Sequence, residues 1–345
     1  MKRFLFALSV LSASFAAADA RADDGELAGF DRFAVSATHR PSLMQGSIWY
    51  PVGTRTYAGF VGKNPVFKGV KAMVGAGVKR GRYPVLLFSH GSGGNMDVLS
   101  WMSSALAKRG IIVVGVNHPG STSGDSSPRR SLQPAERAAD LSAALDHLLA
   151  DPYFSRFVDQ DHIVAAGFSL GGATALSLAG VSFDAKAYAG YCERLEGKAQ
   201  DCLFFAKGGV DLKTMADGLE ESGLDSRVAG AIAIDPGFTF AVDEDGLAEV
   251  SIPIQLISLG RENLWPATNV SETGSNLIGK LKSASHVTVY PAHHFTFLPE
   301  CTERGAMLLE EEQDDPVCDD PEGTDRADIH KKIADAMSDF VLQLK

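Results

Sequence analysis

Apolar and polar positions along this chain switch repeatedly between two rhythms. Short uninterrupted apolar runs, "PVLLFS" (84–89), "IIVVGV" (111–116), "HIVAAG" (162–167), "AGAIAI" (229–234) and "IPIQLIS" (252–258), are rich in β-branched residues. "SIWYPV" (47–52) precedes them and "HVTVY" (286–290) follows. Runs that are apolar throughout, not only at alternate positions, predict strands covered on both faces. Between them the apolar positions recur at helical spacing. In "NMDVLSWMSSALAKRG", Val98, Trp101, Met102 and Leu106 share one face, with Asn95 expected as the cap and Gly110 as the stop. "QPAERAADLSAALDHLLA" sets Pro134 near a helix start and strings Ala138, Leu141, Ala144, Leu145, Leu148 and Leu149 into a stripe. Asp325 to Leu344 reads as a further amphipathic helix. Alternation of this kind predicts an α/β fold, with a mostly parallel sheet carrying helices on both faces.

Two segments interrupt the alternation. Residues 181–228 are too long for a simple connection and read as an inserted cap. Residues 299–323, "PECTERGAMLLEEEQDDPVCDDPEG", read as an acidic, solvated loop; they lack the ligand spacing of a calcium-binding loop. The N-terminus follows a third pattern. Lys2 and Arg3 precede "FLFALSVLSASFAAA" and then the small-residue sites Ala18-Asp19-Ala20 and Ala20-Arg21-Ala22. That order is a secretory signal peptide over residues 1–22, leaving a single large domain over 23–345 in the periplasm or outside the cell. No later apolar run is long enough to cross a bilayer, so no integral membrane segment is expected in the mature chain.

Composition narrows the partners. The formal net charge is −11, and loss of Lys2, Arg3 and Arg21 with the leader makes it more negative. Such a surface repels phosphate backbones, which argues against nucleic acid. The four cysteines, Cys192, Cys202, Cys301 and Cys318, form an even set suited to an oxidising compartment. Of the three pairings, the local one, Cys192–Cys202 with Cys301–Cys318, is expected. No CxxC or HxxxH spacing points to zinc, and neither a metal nor a cofactor is expected.

The reactive chemistry centres on "VAAGFSLGGATALSLAG" (164–180). Gly167-Phe168-Ser169-Leu170-Gly171 follows a strand and opens a helix, the setting in which G-x-S-x-G lifts a serine onto a tight turn. Glycines flank it because side chains there would strike neighbouring backbone. A serine needs a base, an orienting acid and oxyanion donors. "FSHGSGGN" ends an upstream strand and supplies one donor, so the N–H groups of Ser92 and Leu170 are expected to form the oxyanion hole. A phosphate loop would need a following Lys-Ser/Thr, which is missing. His90 is expected to brace that loop. The base must come after the last strand, where "VYPAHHFTFLPEC" offers His293 and His294; His294 is preferred because Phe295-Thr296-Phe297 look like core anchors. For the acid, Asp235 ends "AGAIAIDPGF" and is preferred over Glu262, which follows the next strand. Both keep the chain order Ser, acid, His.

With these residues in view, the chain resembles α/β-hydrolases of the group related to secreted platelet-activating-factor acetylhydrolases, whose bacterial members are often labelled predicted dienelactone hydrolases. The resemblance rests on "SIWYPV", "YPVLLFSHGSGGN", "VNHPGSTSGD", "VAAGFSLGGAT", "AIAIDPGFTF" and "PAHHFTFLPEC". It implies an α/β-hydrolase fold, a nucleophile at Ser169, a histidine at His294, an acid at Asp235 and a paired-cysteine loop at Cys301 and Cys318. Dienelactone hydrolases themselves use a cysteine nucleophile, and here the position is Ser169. The expected activity is hydrolysis of a small-molecule or lipid carboxylic ester, short-acyl or phospholipid-like. A peptidase or amidase of the same fold, and a catalytically silent binding protein, are the alternatives.

Overall fold

The computed structural model describes residues 26–195, 198–247, 250–262 and 264–344; the expected leader, residues 1–22, lies outside them. Ten strands form one sheet: β1 (Gly29–Val35), β2 (Met44–Tyr50), β3 (Ala58–Val61), β4 (Val70–Val74), β5 (Tyr83–Ser89), β6 (Ile112–Val116), β7 (Val158–Phe168), β8 (Gly230–Ile234), β9 (Ile254–Leu259) and β10 (Ala284–Val289). Their order across the sheet is β10-β9-β8-β7-β5-β6-β2-β1-β4-β3. The six strands from β10 to β6 run parallel. β2 joins them antiparallel at β6 and leads into the N-terminal extension. All seven expected strands are present within a few residues of their predicted bounds. β1, β3 and β4 were not predicted, because their apolar positions are interrupted by Gly, Lys, Asp and Arg.

Helices cover both faces. α1 (Ser100–Lys108) and the C-terminal helix Arg326–Gln343 bury Met102, Leu106, Ile329, Ile333 and Met337 with Leu86, Phe88 and Val164 in one core. α2 (Pro134–Ala150) and α3 (Leu170–Leu178) bury Leu141, Leu145 and Leu176 with Val85, Leu87 and Ala165 in the other. Strands apolar on both faces are what two cores require. α1 starts later than predicted: Asn95 caps the preceding turn by accepting from the Val98 N–H, and the helix N-cap is Leu99. Asp325 caps the C-terminal helix as its position suggests, accepting from Ala327 and Asp328.

In the expected cap region, α4 (Ala185–Arg194) and α5 (Gln200–Lys207) are tied by the disulfide Cys192–Cys202. The second disulfide is Cys301–Cys318. The segment it closes is solvated as expected from its acidity, with Glu303, Glu310, Glu311, Glu312, Asp314 and Asp315 exposed, but it is not all loop. It contains a helix, Gly305–Glu312, and just beyond Cys318 Asp320 bonds the buried Arg326. Among the described residues no helix is long and apolar enough to cross a membrane.

Candidate active site

Strand register brings the reactive groups to one edge. β7 pairs Gly167 with Ser89 on β5 and Phe168 with Ile234 on β8. The next residue along each strand, His90, Ser169 and Asp235, therefore leaves the sheet at the same carboxyl end. Between Phe168 and α3 the chain turns so tightly that Ser169 adopts φ 57°, ψ −120°, a strained backbone for a side-chain-bearing residue. The glycines around it are forced. A Cβ on Gly167 would lie 1.9 Å from the Gly171 carbonyl oxygen, and one on Gly171 would lie 2.0 Å from that of Ser89. Asp235 is also held at positive φ, 40°, in the turn that follows β8.

Three side chains meet there. His294 Nε2 lies 3.1 Å from Ser169 Oγ, and its Nδ1 lies 3.1 Å from Asp235 Oδ2. The other carboxylate oxygen, Oδ1, accepts from the Leu259 N–H at 2.8 Å, which fixes the carboxylate's orientation. Both Asp235 and His294 are buried. The imidazole packs against Phe168, 4.6 Å between ring centroids, and Trp265, 4.4 Å. Trp265 was not singled out in the sequence, where "RENLW" carries no pattern. Phe297 is fully buried and stacks on Phe168, as an anchor should. Phe295 instead faces the cavity beside the imidazole.

The two alternatives are placed elsewhere. His293 caps the short helix that begins at His294: its Nδ1 accepts from the Phe295 N–H at 2.9 Å, and its Nε2 donates to the Asp319 carbonyl at 2.5 Å. Both its ring nitrogens are therefore occupied. Glu262 is exposed in the cavity wall, one strand further from Ser169 than Asp235, and the Nδ1 it would have to reach is taken.

Ser92 and Leu170 line the same cavity as Ser169, and no hydrogen bond takes up either N–H among the described residues. The Ser92 peptide is held from behind. The His118 N–H donates to His90 Nε2 at 3.1 Å, so the His90 proton resides on Nδ1 and is donated to the Gly91 carbonyl at 2.7 Å. That carbonyl belongs to the peptide that carries the Ser92 N–H. His90 thus braces the loop, and a buried network braces His90. Arg137 donates to the His90 carbonyl, to Ser121 Oγ, and at 3.0 Å each to Ser89 Oγ and Thr174 Oγ1. His118 donates through Nδ1 to Asp140 at 2.9 Å and accepts from Ser89 Oγ at 3.0 Å. Asp140 also receives Arg40 and His39. Burial opposes its charge, but the bonds from His118 and Arg40 outweigh that and hold its carboxyl well below the usual range.

Burial, with Arg137 nearby, pulls His90 well below its ordinary value and His118 down to about 4; burial likewise lowers His330, behind the His294 segment, to about 4. These imidazoles are neutral in the folded chain, whereas the unfolded chain takes up protons from about pH 6.5 downward. Stability is therefore expected to fall as pH drops from about 6.5 to 4, by on the order of 3 kcal/mol for each of His118 and His330. Urea midpoints across that range check this; a flat profile contradicts it.

A cavity of about 1280 Å³ opens onto Ser169 and His294. Tyr188, Phe204, Phe205 and Phe238 wall it from α4, α5 and the turn after Asp235, and Trp265, Tyr290 and Phe295 from the histidine side. Among the described residues no group of three or more His, Cys, Asp or Glu side chains is arranged to hold a metal ion.

The model of the alpha/beta hydrolase family matches residues 86–336, well over half of the sequence. The chain belongs to the alpha/beta hydrolase family. A stretch of 107 residues is 31% identical to cutinase est1 of Thermobifida alba, covering 30% of this chain and 33% of that protein, so this hydrolase spans about a third of that relative's length. A ferulic acid esterase from Streptomyces cinnamoneus shares the fold, with a TM-score of 0.60 at 18% identity over 94% of this chain and 91% of that one.

Proposed function

We propose that this α/β-hydrolase is an exported serine esterase that cleaves carboxylic esters through an acyl-enzyme. The reading rests on one observation: the unbroken path from Asp235 through His294 to Ser169, two contacts of 3.1 Å bordering a large apolar cavity. Ser169 Oγ attacks the ester carbonyl as His294 Nε2 takes its proton. Asp235 keeps the Nδ1 proton in place and stabilises the imidazolium. The carbonyl oxygen, now negative, accepts from the Ser92 and Leu170 N–H groups; loss of one such donor costs roughly 10²–10³ in rate. The leaving alcohol takes the proton from His294. Water then attacks the acyl-serine with His294 as base, releasing the acid and restoring Ser169.

Residues 1–22 serve as the export leader, and the two disulfides form after translocation. Residues 181–228 act as the cap over the cavity. At about 1280 Å³ the cavity exceeds the roughly 300–1,000 Å³ of ordinary small-molecule sites. A short acyl group fills only a small part, so the substrate carries a bulky second portion, phospholipid-like or aryl, on the acyl or the alcohol side. The test is turnover of p-nitrophenyl esters of increasing acyl length, with oxidised phospholipid and a peptide anilide alongside, and labelling by a fluorophosphonate. Ester turnover with label on Ser169 is expected. Folded protein that neither turns over nor labels contradicts the reading, and preferential cleavage of the anilide makes it an amidase.

A further inference from the structure

The acidic segment 299–323, stapled by Cys301–Cys318, does more than cover the surface, because the two residues just after Cys318 reach the segment that carries His294. Thr296 Oγ1 donates to Asp320 Oδ1 at 2.7 Å and accepts from the His293 N–H at 3.0 Å. The Asp319 carbonyl accepts from His293 Nε2. The residue before His294 and the second residue after it are thus both tied to Asp319 and Asp320. Asp320 is itself clamped: Arg326 donates Nε to its Oδ2 at 2.8 Å and an Nη to its Oδ1 at 2.9 Å. The same guanidinium donates to the Pro299 carbonyl at 3.0 Å and the Val317 carbonyl at 2.9 Å, joining both ends of the segment.

The disulfide anchors this assembly to a distant part of the fold. Cys318 immediately precedes Asp319, and its partner Cys301 forms a β-bridge with Phe67. Beside it the Thr302 N–H donates to the Val66 carbonyl at 2.7 Å, and Lys68 pairs with Glu300 at 2.8 Å. A Cβ on Gly305 would lie 2.7 Å from the Val66 carbonyl and 3.2 Å from Cys318 Sγ, so the helix starting there packs directly onto the bridge. From the opposite direction, His330 Nε2 donates to the Thr296 and Leu298 carbonyls and the Trp101 indole donates to that of Phe297. His294 therefore sits on a segment gripped by two supports, one made by His330 and Trp101, the other by Asp319 and Asp320, which Arg326 at the start of the C-terminal helix clamps and the adjacent Cys318 ties to Cys301.

Resting on the proposed role of His294 as base, we infer that Asp320 is a positioning residue for that base and that the Cys301–Cys318 disulfide, by holding Asp320 in place, sets the turnover rate. The support is needed because displacement of a reacting group by about 1 Å can cost on the order of 10²-fold in rate. The other support persists when this one is lost, so activity drops without vanishing. Oxidation of Cys301 and Cys318 then completes the site as well as stabilising the fold, which couples activity to an oxidising compartment.

The experiment compares Thr296→Val, Thr296→Ser, Asp320→Ala and Cys301→Ser/Cys318→Ser in the full chain. kcat and KM are measured for p-nitrophenyl acetate, with circular dichroism at a temperature where each variant is folded. Thr296→Val, Asp320→Ala and the double serine variant are expected to lose about 10- to 100-fold in kcat with KM within about threefold. Thr296→Ser keeps the oxygen and should recover to within about threefold of the parent. If the folded variants keep the parental kcat and only melt earlier, the inference fails. It also fails if KM moves instead, since the segment would then be a substrate wall. Ser169→Ala separates the two ideas. Loss of turnover there with full kcat in Asp320→Ala overturns only the positioning role, whereas full turnover in Ser169→Ala overturns the esterase reading itself.

Discussion

His294→Ala is expected to lower kcat for a small ester by about 10⁴-fold or more, whereas the neighbouring His293→Ala should retain activity within about 30-fold. The two imidazoles are adjacent in sequence and do different work. His294 Nε2 faces Ser169 Oγ and its Nδ1 faces Asp235. His293 uses one nitrogen to cap the backbone at Phe295 and the other to hold the Asp319 carbonyl. Without His294 the serine hydroxyl keeps its proton, and only binding and the oxyanion donors still act. Without His293 a cap and one tie are lost, which loosens the segment but leaves the proton acceptor in place. Asp235→Asn should cost far more than Glu262→Gln, since only Asp235 contacts the imidazole, and an amide there disturbs the tautomer that His294 needs. Steady-state kinetics with p-nitrophenyl acetate decide both comparisons. Equal losses at His293 and His294, or a larger loss at Glu262, would contradict the proposed roles.

What made Ser169, Asp235 and His294 readable was their position relative to strand ends. Ser169 and Asp235 each directly follow a buried strand and His294 comes shortly after the edge strand β10, and G-x-S-x-G has few other uses between a strand and a helix. Asp235 and Glu262 were harder to separate, because both follow strands; what distinguishes them in the fold is the contact of Asp235 with His294 Nδ1, which no strand pattern shows. The supporting polar groups were hidden for the opposite reason. Arg137 and Asp140 sit within a stripe of Ala138, Leu141 and Ala144, where a charged residue reads as the flank of an amphipathic helix, yet both side chains are buried. His118 lies in "NHPG", which by itself reads as a turn. Asp320 lies among so many carboxylates that nothing in the local sequence separates the one bonded to Thr296 from those in water, and Asp319 takes part only through its backbone carbonyl. A buried polar network has no periodicity. Its members become visible only when the fold brings their partners together.

Arg137→Met follows from that network and should be among the most damaging changes outside Ser169, Asp235 and His294. The side chain is 2% exposed and donates to Ser89, the His90 carbonyl, Ser121 and Thr174, all beside the oxyanion loop. Methionine fills much of the volume but satisfies none of these acceptors. The Asp140 charge also loses a nearby cation, although Arg40 and His118 still bond it directly. Breaking a buried charged network by removing one partner costs about 3–5 kcal/mol, which for a domain of this size corresponds to a fall in Tm on the order of 10 °C. The damage should also reach the chemistry, because the His90 carbonyl no longer has its guanidinium and the Gly91–Ser92 peptide behind the oxyanion donor loses its rigid backing. A kcat reduced by about 10- to 100-fold with little change in KM is expected at temperatures where the variant is folded. Asp140→Asn probes the same network from the other end. The carboxylate accepts from His118, His39 and two nitrogens of Arg40, so an amide would turn one acceptor into a donor facing donors. Thermal melts and kcat measured on both variants check the coupling: a loss of stability with kcat untouched would mean that the network supports the fold alone and leaves the oxyanion loop to hold itself.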